Sequence, residues 1–312
     1  MGVAVVGAGI AGAACARALH AAGIEVQVLD RGRVPGGRLA SRRFDGRPVD
    51  LGASYLTCRD DGFTAVVEDW CARGLAHPWT DAFHVATPAG LGGRKRGPLR
   101  YGTPAGLRSL VVDLLGSVPV RQLVHVASVG PGPVVDGRAY DAVVLAMPDP
   151  QALPLLVDLP DERAQLTGRD WEPVLALAVR FPTRSWDLDG CFVEGSDVLA
   201  WVADDGMRRG DGAPVLVAHS TPSLAADHLA DPAAAGPLLL DAVQSLLGIR
   251  DVPEWSYVQR WTYARPVAGR EIPYWLGTSA VGLCGDGWGS PRVETAWLSG
   301  HLLGQELADR LG

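Results

Sequence analysis

Lysine is almost missing from this chain. Of 28 basic residues among 312, Lys95 is the only lysine, and every other basic residue is arginine. The 35 acidic residues outnumber the basic ones and leave a formal charge of −7, so the clustered positive excess of a nucleic-acid surface is absent. Cysteine is sparse too. Cys15, Cys58, Cys71, Cys191 and Cys284 form no CxxC pair and are odd in number, which excludes the paired spacing of a disulfide framework or thiolate metal site. Free thiols fit a reducing, cytoplasmic setting. The seven histidines pair at no metal-ligating spacing and complete no recognisable Ser–His–Asp set. No charge-free apolar run reaches the ~20 residues of a membrane-spanning helix. The apolar N-terminus lacks the basic region that begins a signal peptide. A soluble protein without a membrane span is expected.

What is present is a core. Hydrophobic residues make up 47% and charged residues 20% of the chain, which at this length predicts one large or two moderate folded domains. Val3–Val6 is the β-branched run of a buried parallel strand. Gly7-Ala8-Gly9-Ile10-Ala11-Gly12 follows as a full G-x-G-x-x-G, then an Ala-rich helix over 13–22 and a second strand over 25–29 ending at Asp30. In such a unit Gly7 permits the tight turn, Gly9 lets the backbone approach a pyrophosphate, and Gly12 lets helix and strand pack closely. The helix N-terminus offers free N–H groups to phosphates, and Asp30, eighteen positions after Gly12, is placed to accept ribose hydroxyls.

Pro35-Gly36-Gly37-Arg38 closely follows the acid and could reach the same pyrophosphate. With it the chain resembles the glutathione-reductase-type FAD proteins, in the branch containing the flavin amine oxidases. The resemblance implies that Arg38 is a phosphate ligand. Ser41-Arg42-Arg43, Phe44, Asp50-Leu51-Gly52-Ala53-Ser54-Tyr55-Leu56-Thr57, Arg59-Asp60 and Phe63 narrow it to the renalase-like subgroup. Bacterial members of that subgroup carry Asp-His-Gly-Ala-Gln-Tyr-Phe-Thr-Ala-Arg-Asp, and this chain departs at Leu51, Ser54, Leu56 and Cys58. Ser54 is the departure that touches the substrate side, because the family Gln lies near the flavin.

Toward the C-terminus, an apolar strand over 279–284 leads into Gly285-Asp286-Gly287 and a helix-like stretch over 293–311. Gly285-Asp286 resembles the second FAD fingerprint, whose Asp accepts from the ribityl chain. A helix N-terminus aimed at the flavin would stabilise its reduced anion. Ala296, Ser299 and Gly300 are small, as a helix passing beneath a cofactor requires. Some amine oxidases attach FAD through a Cys in this loop; none stands between Gly285 and Ala296, so a non-covalent FAD is implied. The cofactor-binding set implied by the resemblance is Gly7, Gly9, Ala11, Gly12, Asp30, Arg31, Gly37, Arg38, Gly52, Ala53, Gly285, Asp286 and Val293.

From about residue 151 to 265, short strand candidates (174–181, 198–202, 215–219, 255–261) alternate with helix candidates such as 237–247. The expected fold is therefore α/β plus α+β, a Rossmann-like FAD-binding domain with an inserted, mostly antiparallel-sheet substrate domain. The FAD-binding domain is expected over 1–75, 101–150 and 266–312, and the substrate domain over 76–100 and 151–265, with the active site between them. Trp261-Thr262-Tyr263-Ala264-Arg265-Pro266 resembles the W-x-Y-A-x-P segment of renalase-like proteins. Substrate-cleft candidates are Trp288, Tyr263, Trp261, Tyr55, Ser54 and His219, with Trp288 expected to border the flavin ring. Arg94-Lys95-Arg96, with Arg100 and Arg108, could meet substrate phosphates or form a solvated basic loop. Asp204-Asp205 and Met207-Arg208-Arg209 depart from the relatives' Ser-Lys-Pro-Gly-Arg.

The expected function is an FAD-dependent oxidase or dehydrogenase acting on a small planar molecule, with O2 as oxidant giving H2O2. The flavin performs the bond chemistry, so no catalytic side chain is assigned. The resemblance implies oxidation of dihydro isomers of NAD(P)H. A biosynthetic amine oxidase or desaturase, or a flavoprotein with a non-redox role, stands as the alternative. Monoamine and polyamine oxidases generally place a Lys near the flavin, and Lys95 lies outside the segments expected to touch it.

Overall fold

The run Val3–Val6 forms a strand with all four side chains buried. A strand covered on both faces needs apolar residues throughout, which is why its sequence shows no alternation. It lies inside a six-stranded sheet, paired in parallel with Val26–Leu29 on one side and Ala142–Leu145 on the other. Val120–Arg121 and Val281–Leu283 extend these two flanks in parallel, and Trp275–Leu276 closes one edge antiparallel. The crossover between the first two strands is the helix Ile10–Ala21, which begins immediately after the glycine turn. Parallel strands joined by a helical crossover from a glycine-rich turn make this a Rossmann-like dinucleotide-binding fold.

The C-terminal helix, Val293–Leu311, packs along this first helix. A Cβ on Gly300 would collide with the Ala11 carbonyl, and one on Gly304 would lie 2.8 Å from the Ala18 methyl. Two of the small residues expected to clear a cofactor, Ser299 and Gly300, have partners within the fold. Gly300 admits the first helix, and the Ser299 hydroxyl accepts from the Gly285 N–H at 2.9 Å.

The computed structural model describes residues 1–312, which divide into two units. The first comprises residues 1–39, 108–171 and 265–312; the second comprises 40–107 and 172–264. These boundaries differ from those expected. Residues 40–75 and 101–107 belong to the second unit, where buried Asp50 ties them to the helix Asp205–Arg209. Residues 151–171 belong to the first, because Leu156, Leu159 and Leu166 enter the core formed by Val6, Leu145 and Leu283.

The second unit is built on a seven-stranded sheet. Its order is Trp255–Pro266, Trp171–Arg180, Val215–Ser220, Leu199–Asp204, Gly190–Val193, His77–Thr87 and Gly90–Gly102. Pairing is antiparallel from Trp171–Arg180 through Gly190–Val193 and again in the last hairpin, and parallel where Gly190–Val193 meets His77–Thr87. Leu175, Leu177, Val179, Val202, Leu216 and Ala218 share one face and pack on Leu239, Val243 and Leu246 of the helix Gly236–Leu247. Period-2 alternation puts Trp201, Ala203, Val217 and His219 on the other face. No helix is long and apolar enough to cross a membrane.

Gly300→Val should cost about 3 kcal/mol or more, because the Ala11 backbone cannot yield as a flexible side chain would. Urea denaturation followed by circular dichroism will read this as a lowered midpoint at unchanged slope.

Candidate functional site

The glycine turn of the first unit is built as its spacing requires. Gly7 sits at φ +110°, and a Cβ there would lie 2.5 Å from the Ala146 carbonyl oxygen. A Cβ on Gly12 would overlap the Gly7 carbonyl. Gly9 caps the helix with no side-chain hydrogen bond and no acidic residue in the first turn. The amide donors and positive end of the helix therefore remain available to an anion. Gly36 donates its N–H to the Ala8 carbonyl at 2.8 Å, which lays the second glycine pair over the first turn. A Cβ on Gly37 would come within 3.1 Å of the Gly9 Cα, so both backbones face the same space.

Asp30 braces this turn. One carboxylate oxygen accepts from the Ala8 N–H and the other from the Gly32 N–H, each at 2.6 Å. Each oxygen keeps a lone pair for a further donor such as a ribose hydroxyl. Ala11 is buried and meets Gly300; the Arg31 side chain is exposed.

The two remote fingerprints meet in this unit. Arg38 grips Asp286 through two bonds, of 2.8 and 2.5 Å, across 248 positions of sequence. The sequence reading gave these two side chains separate partners on a cofactor, and the structure pairs them with each other. The Arg38 guanidinium also lies over the Trp171 ring, 5.2 Å from its centroid. Gly285 is at φ +144° with nothing within 4 Å of a built Cβ. Val293, buried, opens a helix whose cap, Arg292, makes no side-chain capping bond. The uncapped, acid-free start of the first helix, open glycine backbone, a braced carboxylate and one cation form a set that fits a dinucleotide diphosphate, while the Val293 helix carries buried Glu294 in its first turn.

Trp288 is placed differently from expectation. Its side chain is 4% exposed, it belongs to the core with Leu145 and Leu283, and the Arg270 guanidinium covers its ring at 4.1 Å. Arg270, which sequence reasoning missed, also donates to Asp149 at 2.7 Å and to the Gly287 carbonyl at 2.9 Å. A surface cleft of about 400 Å³ beside it is lined by Gln165, Arg169, Gly269, Arg270, Glu271 and Ile272 and contains none of the motif residues.

The other candidates lie in the second unit. Gly52 and Ala53 are half-buried on the loop leading to Ser54. The Ser54 hydroxyl accepts from the Trp201 indole N–H at 3.0 Å, and its carbonyl accepts from Arg208 at 2.7 Å. The family Gln position is thus a structural pin in this chain. Tyr55 packs with Trp79, Phe83 and Trp201 at centroid distances of 5.3–6.3 Å. His219 pairs in register with Trp201 and so emerges on the same sheet face. Trp261 and Tyr263 share one strand, two residues apart and half-buried, with the Trp261 indole donating to the Leu51 carbonyl at 2.8 Å.

A buried ion network holds these loops. Arg209 donates to Asp50 and Asp205, Arg208 pairs with Asp205, and Arg47 reaches Asp205 at 2.6 Å. The Ser41 hydroxyl and the Leu107 N–H complete the shell of Asp50. Burial alone would raise the Asp205 carboxyl, but the charges of Arg208, Arg209 and Arg47 outweigh it and hold it well below the usual carboxylate range. Sequence reading marked the Met207-Arg208-Arg209 stretch as a departure and missed its role. Asp205 was the available signal, since an acid three or four residues before arginines pairs with them on one helix face.

Residues 5–70 match the NAD(P)-binding Rossmann-like domain. Hydroxyneurosporene desaturase from Rubrivivax gelatinosus is 46% identical over 57 residues, which is 18% of this chain and 11% of that protein. Phytoene dehydrogenase from Streptomyces griseus is 46% identical over 74 residues, 23% of this chain and 15% of its own length. The matched segments are thus a small fraction of either relative. Cyclohexylamine oxidase from Brevibacterium oxydans shares the fold over 99% of both chains, with a TM-score of 0.78 at 15% identity.

Asp205→Asn leaves buried arginines short of an anion and should cost about 3–5 kcal/mol. Because the folded Asp205 carboxyl lies low, its pairing contributes fully above the ordinary carboxylate value and is lost as pH falls through it. Stability of the native protein should therefore decline steeply below about pH 4, and that of Asp205→Asn less steeply, in thermal melts run from pH 6 to 2.

Proposed function

We propose that the first unit holds FAD non-covalently and that the protein is an FAD-dependent oxidase or dehydrogenase, with the second unit carrying the substrate side. The carrying observation is the meeting, in one unit, of the braced glycine turn with Asp30, the Gly36–Arg38 segment and the Gly285–Asp286 segment. The amides at Gly9 and the Arg38 guanidinium would hold the diphosphate, and Asp30 the ribose hydroxyls. The start of the helix at Val293 supplies a positive dipole end to the same cofactor. When bound, the flavin supplies a two-electron acceptor at N5 for a hydride from the substrate. O2 is the proposed oxidant, taking the two electrons and two protons to give H2O2. The thiols nearest these segments suit a non-covalent cofactor. Burial pushes the Cys15 thiol up to about 12 and raises that of Cys284 well above its ordinary value, so neither supplies a thiolate. A reducing, cytoplasmic setting is part of the proposal.

The leading specific reading is the renalase-like one, oxidation of dihydro isomers of NAD(P)H, which are planar and carry phosphates. A second reading, a biosynthetic desaturase or amine oxidase, is favoured by the two carotenoid-enzyme relatives over the N-terminal segment. Lys95 weighs against the lysine-assisted amine oxidases. It is exposed in the hairpin strand Gly90–Gly102, in register with Phe83. A non-redox use of the flavin is the third option.

The purified protein should be yellow, with flavin released by acid; a colourless protein that takes up no added FAD would sink the reading. Anaerobic mixing with dihydropyridine isomers, then with amines and polyenes, separates the readings by which class bleaches the flavin. Asp30→Ala should weaken FAD retention by about tenfold or more, roughly 1.4 kcal/mol per decade, in equilibrium dialysis. Lys95→Ala should leave the rate of anaerobic flavin reduction within about twofold of the native rate, as for any exposed side chain without a role.

A further inference from the structure

We infer that the second unit contains a binding subsite for a singly charged oxyanion carried beside a flat ring, formed by Arg100 with Tyr55, Trp79, Phe83 and Trp201. Three N–H groups carry the inference. Arg100 is 8% exposed, yet its Nε and Nη1 are buried without a hydrogen-bond partner, and so is the indole Nε1 of Trp79. All three are donors. Buried polar groups are ordinarily satisfied, and a buried guanidinium is ordinarily paired with an anion.

The other arginines of the same strand follow that rule. Arg94 pairs with Asp189 at 2.9 Å and Arg96 with Asp81 at 3.3 Å, both in exposed positions. Asp189 also accepts from the Thr80 hydroxyl, through the same oxygen that takes Arg94. Arg100 has rings in place of a carboxylate. Its guanidinium carbon lies 4.0 Å from the Phe83 centroid and 5.9 Å from that of Tyr55. Stacking engages the face of the guanidinium and leaves its N–H edge free for an acceptor in the same plane.

That acceptor is an anion, because one positive charge is uncompensated. It carries a single charge, because a dianion would leave surplus negative charge among ring faces that are themselves electron-rich. It sits beside a ring, because Tyr55 and Trp79, packed on each other at 6.3 Å and 48°, are half-exposed and leave aromatic surface for a flat group to lie against. An aryl carboxylate and the phosphodiester of a nucleotide share this chemistry. The subsite stands on the second unit alone; that its occupant is the substrate rests on the oxidoreductase reading.

The test is calorimetric titration of the protein as purified with benzoate, methyl phenyl phosphate and neutral benzamide, with flavin content measured on the same samples. At least one of the two anions should bind tenfold or more tighter than benzamide, and the tighter one identifies the source. Arg100→Gln should abolish the preference while keeping the flavin content and a melting temperature no lower than native. Trp79→Phe removes one donor and should weaken the preferred anion severalfold with benzamide unchanged; it carries the test if Arg100→Gln does not fold. Equal binding of anions and benzamide overturns the proposal, as does a preference that survives Arg100→Gln. A protein without flavin that still prefers the anion would sink the oxidoreductase reading and leave the subsite standing.

Discussion

The close crossing of the first and last helices is the constraint on which the first unit depends. Only a glycine at 300 lets the C-terminal helix come against the Ala11 backbone. That contact sets the height of the helix, and with it Ser299, whose hydroxyl holds the Gly285 N–H. The Gly285–Asp286 loop is thereby delivered to Arg38, and Gly36 in turn is held by the Ala8 carbonyl. A single packing contact between segments almost three hundred positions apart thus propagates, bond by bond, to the glycine turn. Segments far apart in sequence converge on one cluster that neither builds alone.

The second unit is organised by charge. Asp50 and Asp205, both nearly inaccessible, face Arg47, Arg208 and Arg209 in a network of opposed charges. Such networks are weak evidence for stability, since hydrophobic replacements often serve as well, but they fix which segments meet. Here they join the hairpin of residues 41–50, the approach to Leu107 and the helix Asp205–Arg209. Arg100 shows the opposite accounting within the same unit. It is as buried as its relatives but faces rings, and the difference marks a contact the isolated chain does not supply.

Legibility in the sequence followed the physics of each segment. Val3–Val6 and the glycine spacing could be read directly, because a buried parallel strand and a tight turn each tolerate few residue types. The C-terminal helix was legible to the residue, at 293–311. The hairpin His77–Gly102 was not. Its second strand is rich in glycine and arginine, and its pairing shifts register three times, which erases the alternation that announces a strand. Gly190–Val193 was too short to register. In the site, residue type was readable and environment was not. Trp288 looked like a cleft wall and is core, while Arg100 looked like one more member of a basic loop and is buried. Burial of a single side chain is decided by partners far away in sequence, and no local pattern carries that information.

The solitary lysine has a practical consequence. Lys95 stands exposed on the edge strand Gly90–Gly102 and is the one lysine side chain of the sequence. Amine-directed coupling will therefore fall mainly on one side chain. The molecule carries a natural single tether, by which a dye or a support can be attached with every copy held in the same orientation.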